Sequence, residues 1–357
     1  GLSAEVLPEN ERGMTMKYRI WGGIVLLLVL LLAANLFLGS ARIPFRAVLG
    51  ILAGEEGEKT AWTYIVWQTR FPQAVTALFA GASLAVAGVM LQTVFANPLA
   101  GPSILGIDSG ASLGVALVML LCGGTVGGIT VGLTFSGYVA VVVGAFAGAA
   151  LILGLIIFFS TLIRSNVMLL IIGMMMGYIA SSAISLLNFF ATAEGVFSYT
   201  MWGMGDFSGV SAGQLPFFCG ILSVGLFLAL LLMKPLNALL LGERYAGNLG
   251  INVRRVRVVL LISTGLLTAV TTAFCGPIAF IGLAVPHIAR LLLGTSNHNL
   301  LLPVTMLCGA VIALLCNLIS VLPGSAGVIP LNAITPVLGA PVIIYVIVNQ
   351  RKIQYFH

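Results

Sequence analysis

Trp21-Gly-Gly-Ile-Val-Leu-Leu-Leu-Val-Leu-Leu-Leu-Ala-Ala-Asn-Leu-Phe-Leu-Gly-Ser40 contains no charged residue. At a rise of 1.5 Å per residue, about twenty residues make a helix ~30 Å long, the thickness of a bilayer's hydrocarbon core. A helix apolar on every side has no face to offer water, so its solvent is lipid or a protein interior. Runs of the same kind recur along the chain and predict helices near 21–40, 71–94, 104–121, 137–160, 167–190, 213–233, 256–275, 277–294, 301–322 and 332–349. The third and eighth are crowded by glycine and proline. The runs are continuous, without the alternating pattern of barrel strands, so they read as helices. The expectation is an all-α polytopic membrane protein with about ten spans.

Composition points the same way. Of 357 residues, 60% are hydrophobic and only 7% charged, against roughly 25% charged in a globular protein. Mean hydropathy is +1.14. These values exclude disorder, a soluble enzyme and a nucleic-acid binder, in spite of a pI near 9.2.

An even number of spans puts both termini on one side, and the basic residues select it. With the termini inside, the cytoplasmic segments hold Arg12, Lys17, Arg19, Arg164, Lys234, Arg244, Arg254, Arg255, Arg257, Arg290, Arg351 and Lys352, while the outside holds Arg42, Arg46, Lys59 and Arg70. That asymmetry satisfies the positive-inside rule. Residues 1–20 then form a cytoplasmic tail, too acidic at Glu5, Glu9 and Glu11 for a signal peptide. Residues 21–349 form one membrane domain, and 350–357 a second cytoplasmic tail. Outside lie a loop of about 41–70, with Glu55, Glu56 and Glu58 and the headgroup-seeking rings of Trp62, Tyr64 and Trp67, and a stretch of about 191–212.

The spans hold little chemistry. Five cysteines lie in apolar runs without a C-x-x-C, and three histidines are far apart; these read as packing residues, with no metal set. Asp108 reads as a helix N-terminal acid, and His287, after Pro286, as structural or interfacial. An ion-coupled transporter needs ionisable groups within the membrane, and these are scarce. No nucleophile–base pair for a membrane enzyme is visible, and the chain has no P-loop. If ions do not supply the energy, something outside the membrane must. Pro98, Pro102, Pro277 and Pro286 break helices at membrane depth, which lipid tolerates only where protein or water re-satisfies the backbone. Small residues such as Gly144-Ala-Phe-Ala-Gly148 allow close helix approach, within the chain or between copies.

The inner segment 234–255 differs from the other loops. Leu239, Gly242, Ala246 and Leu249 recur at helical spacing beside Glu243, Arg244 and Asn248. A short amphipathic element of this kind lies on lipid or docks a cytoplasmic partner. Its small residues Gly242, Ala246, Gly247 and Gly250 favour docking, because a lipid-lying helix gains from bulky apolar side chains.

Several motifs in order resemble the FecCD-type permeases, membrane subunits of ABC importers for ferric siderophores, haem and cobalamin. They are Arg70-Phe-Pro-Gln73, Ala80-Gly-Ala-Ser-Leu-Ala-Val-Ala-Gly88, Gln92, Asn97-Pro-Leu-Ala-Gly-Pro102, Gly242-Glu-Arg-Tyr-Ala-Gly-Asn-Leu-Gly250, Gly276-Pro-Ile-Ala-Phe-Ile-Gly-Leu-Ala-Val-Pro-His-Ile-Ala-Arg290 and Gly339-Ala-Pro341. The resemblance implies a type II importer permease in a bacterial inner membrane. It implies a homodimer, two cytoplasmic ATP-binding subunits that carry ATP and Mg, and a periplasmic substrate-binding protein; this chain itself binds no cofactor.

By matching positions, Gly242, Glu243, Arg244, Ala246, Leu249 and Gly250 form the ATPase-coupling contact. Asn97, Leu99, Ser165 and Asn166 form a cytoplasmic gate, and Arg70, Arg42 and Arg46 dock the binding protein. The chain departs from the family at Gln73, where a second arginine is usual, and at Asn317 and Val321, where an acid and an arginine are usual. The leading substrate expectation is an iron chelate, siderophore or haem, with cobalamin as the alternative. Methionines such as Met174, Met175 and Met176 read as flexible packing, not haem ligands.

Overall fold

A computed structural model describes residues 9–54, 59–121, 125–126, 129–130, 135–163, 165–324 and 327–349. Glu55, Glu56, Glu58, Arg164 and the tails before residue 9 and after 349 lie outside the described residues.

Seven described helices are long and apolar enough to cross a membrane. They include α1 (Glu9–Phe37), the continuous helix that ends in α4 (Phe71–Val94), α6 (Phe135–Leu162), α7 (Asn166–Phe190), α12 (Val253–Cys275), α14 (His298–Val321) and α15 (Leu331–Val348). Between α1 and α4 come α2 (Phe45–Leu52), α3 (Thr60–Tyr64) and one π-helical stretch, Ile65–Arg70. An eighth span is counted when α9 (Leu215–Leu231) is taken together with α10 (Met233–Leu240), from which it is bent by 49°. Two shorter apolar helices, α5 (Ile107–Leu121) and α13 (Ile281–Leu293), stand where the proline-crowded third and eighth spans were expected. At 15 and 13 residues they are about 20 Å long, short of the ~30 Å core.

The irregular segments that complete these two short helices meet. Gly101, Pro102, Ser103 and Ile104, before α5, line a common cavity with Ile278, Ala279 and Phe280, before α13. The non-helical backbone here lines a cavity within the protein, one of the settings in which lipid tolerates it. Phe280 itself has φ of 68°, a conformation that bulky L-residues rarely adopt.

Three boundaries differ from the sequence reading. The first helix begins at Glu9, since Arg12, Lys17 and Arg19 are polar but do not break a helix. The helix ending in α4 begins at Thr60 and runs 35 residues through the π-helical stretch. The stretch 191–212 is largely helical: α8 (Ala193–Gly203) is capped by Thr192, which accepts from the Gly195 amide at 3.2 Å.

α4 is the central helix, its buried length packed by α14, α12 and α13. Glycine makes these contacts close. A methyl group at Gly88 would overlap the Gly282 carbonyl, and one at Gly81 the Gly309 carbonyl. Gly144 and Gly148 of α6 pack on Gly114 and Gly110 of α5 in the same manner, so the G-x-x-x-G pattern serves contacts within the chain. α1 sits at the periphery and is tied to α14 where Asn317 Nδ2 donates to Asn35 Oδ1 at 2.8 Å.

Candidate functional site: the cytoplasmic hairpin and the membrane breaks

The inner segment folds as two short helices, α10 and α11 (Glu243–Asn248), joined at Gly242 with φ of 101°. Gly250 follows α11 with φ of 83°. Both positions sit where glycine alone is at ease. Ala246 is fully buried against the body, whereas Gly242, Arg244, Leu249 and Gly250 are exposed and Glu243 is half-buried. The hairpin is therefore anchored on one side and exposed on the other.

Its anchor is ionic. Arg257, on the first turns of α12, donates to Glu243 Oε1 at 2.6 Å and to Asn166 Oδ1 at 2.6 Å. Asn166 Nδ2 donates in turn to Glu243 Oε1 at 2.8 Å and to the Val94 carbonyl at 2.7 Å. Arg257 is buried, and a buried guanidinium left without partners is costly, so the three residues form one unit. The unit joins the hairpin to the start of α7 and the end of α4.

A second tie lies on α10. Asn237 Oδ1 accepts from the His298 amide at 2.7 Å and lies 3.0 Å from His298 Nδ1. The other ring nitrogen of His298 lies 2.8 Å from Thr93 Oγ1 of α4. Through Val94 and Thr93 both ties reach the last turn of α4, from which the chain breaks into Asn97-Pro-Leu99.

The structure brings Asn166 to the hairpin but keeps the other expected gate residues in separate surroundings. Asn97 Oδ1 accepts from the Leu99 amide at 2.9 Å, an Asx turn that holds Leu99 41% exposed. Ser165 caps α7 by accepting from the Met168 amide at 3.4 Å. Above them His287 Nε2 donates to the Pro98 carbonyl at 2.8 Å, and Arg290 donates to Gln92 Oε1 at 2.5 Å. These bonds fasten α13 to α4 and to the break after it, which gives His287 a structural use.

On the outer side Arg42 and Arg46 are exposed. Arg70 is not. It is 5% exposed and its guanidinium donates to the carbonyls of Leu36 and Phe37 at 2.8 and 3.0 Å and of Ala41 at 2.6 Å. A cation at a helix C-terminus satisfies carbonyls that lack an intrahelical partner. Arg70 therefore closes the end of α1, a structural use of its charge beside the docking role that the resemblance implies.

The profile of the FecCD transport family matches residues 26–349. The chain belongs to the FecCD transport family. Vitamin B12 import system permease protein BtuC of Klebsiella pneumoniae subsp. pneumoniae is 36% identical over 329 residues, covering 92% of this chain and 93% of that protein. BtuC of Citrobacter koseri is 34% identical over 287 residues, covering 80% and 84%. A solved structure, described as an inward-facing conformation of an ABC transporter assigned to the metal-chelate type, superposes with a TM-score of 0.79 at 30% identity. It covers 92% of this chain and 99% of the other.

This FecCD member is accordingly the multi-pass membrane permease of a bacterial ABC importer, the transport subunit and not the catalytic one. Its family departures have local explanations. Asn317, where the family has an acid, donates its Nδ2 to Asn35 Oδ1 while its own Oδ1 stays unpaired, and Val321, where an arginine is usual, is buried. Sequence reasoning missed Arg257 as a functional residue and counted it only as an inside charge. A helical signal was present: Arg257, Leu261, Thr264 and Thr268 share the buried stripe of α12, a face on which an arginine needs a partner.

Proposed function

We propose that this permease, paired with a second copy, is the conduit through which ATP hydrolysis on two cytoplasmic subunits drives import of a cobalamin-type chelate. A binding protein outside the membrane delivers the substrate, and the α10–α11 hairpin receives the push of the ATPase. Gly242, Glu243, Arg244, Leu249 and Gly250 form the contact, with buried Ala246 seating the hairpin beneath them, while Asn97, Leu99, Ser165 and Asn166 close the path on the cytoplasmic side.

The observation that carries this reading is the three-way bond among Glu243, Arg257 and Asn166. It gives a force on the hairpin a rigid route to the first turn of α7 and the last carbonyl of α4. Asn97 and Leu99 lie three and five residues beyond that carbonyl. Coupling of this kind requires an element with two arrangements that both sites bias, and the breaks after α4 and before α13 supply irregular backbone that can rearrange.

For the substrate, the relatives are named for vitamin B12, which favours cobalamin over the iron chelate first expected. The metal-chelate label on the solved neighbour fits either. The test is uptake into proteoliposomes by the permease assembled with its cognate ATPase and binding protein. Cyanocobalamin should accumulate with ATP, indifferent to collapse of the proton gradient. Accumulation that follows the gradient and ignores ATP would overturn the importer reading; ATP-driven uptake of a ferric chelate alone would overturn the cobalamin assignment.

A further inference from the structure

An open cleft of about 420 Å³ lies where α5, α7 and α8 face the break before α13. Its walls include Asp108, Ser109, Ser112, Ser181, Ser185 and Tyr199, a concentration of hydroxyls facing open space. Asp108 is 8% exposed. Its two oxygens accept from Ser103 Oγ at 2.8 Å and Thr272 Oγ1 at 2.7 Å, so three segments position one acid at the cleft wall. No Lys or Arg is among the lining residues, and the ion pair found among the described residues lies elsewhere, at Arg257 and Glu243.

An ionisable residue inside a membrane bundle is costly and is kept where a pathway needs it. Asp108 has a ready structural use for one hydrogen bond at the α5 N-terminus, but that use does not require a cleft lined with serine. A carboxylate oxygen has room for about two hydrogen bonds; each oxygen of Asp108 has one from the protein, leaving acceptor capacity toward the cleft. The serine hydroxyls donate or accept. What such a wall offers is N–H and O–H recognition without a counter-charge for an anion.

We infer that this cleft is a transient substrate site within the membrane, and that it receives the carboxamide-bearing edge of a neutral chelate. The inference rests on the importer reading above and deepens it by assigning the residues that read the substrate. The cleft is too small for a whole corrinoid, so it takes one edge while the remainder stays in the shared path between two copies. Chelates that carry carboxylate groups at their rim, such as haem, meet an acid here and find no cation. Apolar walls would pass both kinds equally.

The experiment uses the complete complex with its ATPase and binding protein in proteoliposomes, with cyanocobalamin and haemin as probes. Wild-type complex is expected to import cyanocobalamin in preference to haemin. Ser181 is exposed on α7, so S181L fills the cleft without entering the protein core. It should lower cyanocobalamin uptake about tenfold, the upper end of what one lost neutral hydrogen bond gives. Ser185, likewise exposed, takes a cation in S185K, which should raise the ratio of haemin to cyanocobalamin uptake. D108N, which keeps one acceptor oxygen, should transport better than D108L.

Cyanocobalamin uptake within twofold of wild type in assembled S181L complex, or an unchanged probe ratio in S185K, would overturn the cleft. ATP-driven uptake of haemin but not cyanocobalamin by the wild type would overturn the substrate class and leave the importer reading intact. Absence of ATP dependence with both probes would overturn the importer reading, and this site with it.

Discussion

Glu243 on the cytoplasmic hairpin accepts a 2.8 Å hydrogen bond from Asn166 at the head of α7, 77 residues earlier in the chain. Arg257 donates to both, so the two side chains cannot move apart without breaking bonds to a buried cation. If the hairpin receives the ATPase's push, this bond is where the push enters the membrane domain. Glu243→Ala should then lower uptake per ATP hydrolysed by about five- to tenfold, a coupling free energy of ordinary size. Asn166→Ala should do the same. The double substitution should be no worse than either alone, since both remove one unit. Additive losses, measured as transport and ATPase rates on the same liposomes, would mean that the residues act separately.

The glycine contacts of α4 give a stability prediction. Gly88→Val places a branched side chain against the Gly282 carbonyl, and overpacking of a tight core costs about 1–3 kcal/mol. Gly154, in the middle of α6, has nothing near the position of an added methyl. Gly154→Ala should leave the protein as stable or stabilise it by up to about 1 kcal/mol, the helix-propensity difference. Thermal unfolding of the detergent-solubilised permease reads both. Equal effects would remove close packing as the reason for glycine at position 88.

The two kinds of outer arginine should separate cleanly. Arg70→Met strips three carbonyls at the end of α1 and its surroundings of their donor, and hydrogen bonds to charged groups are worth about 1.5–3 kcal/mol each. Its melting temperature should fall, while the salt dependence of binding-protein association stays as in the wild type. Arg42→Glu with Arg46→Glu should do the reverse: stability holds and association weakens, most at low ionic strength, as rim charges act chiefly on encounter. Titration of the binding protein onto nanodiscs at two salt concentrations decides. A weaker salt dependence in Arg70→Met would restore Arg70 as a docking residue.

The contrast between Arg70 and Arg42 shows what the sequence makes legible. Spans and class follow from local run length, because lipid imposes one requirement on every helix, and prolines 98, 102 and 277 mark where α5 and α13 fall short. Partners are another matter. An arginine at the outer end of a span reads equally as a free charge or as a cap for the preceding helix, and only the return of α1 beside α4 distinguishes them. Glu243 and Asn166 are both visible as candidates in their own segments. The uniform hydropathy of the helices between them carries no record of which ends meet. The cleft at Asp108 escaped for the same reason: its serines come from α5 and α7, about seventy residues apart in sequence, and only packing gathers them.

Asn35 and Asn317 pair across α1 and α14, where Asn317 Nδ2 donates to Asn35 Oδ1, and Asn35 Nδ2 reaches the Leu31 and Leu314 carbonyls at 2.8 and 3.1 Å. Both residues are buried, so removing one amide strands the other in an apolar setting. Asn35→Leu should cost about 1–3 kcal/mol, the penalty of an unsatisfied buried polar group. Replacing both with leucine removes the stranded group along with the bond, and most of that loss should return. Unfolding measurements on the two single variants and the double variant form the cycle. A double variant as unstable as the sum of the singles would show that α1 is held by the shape of the asparagines and not by their bond.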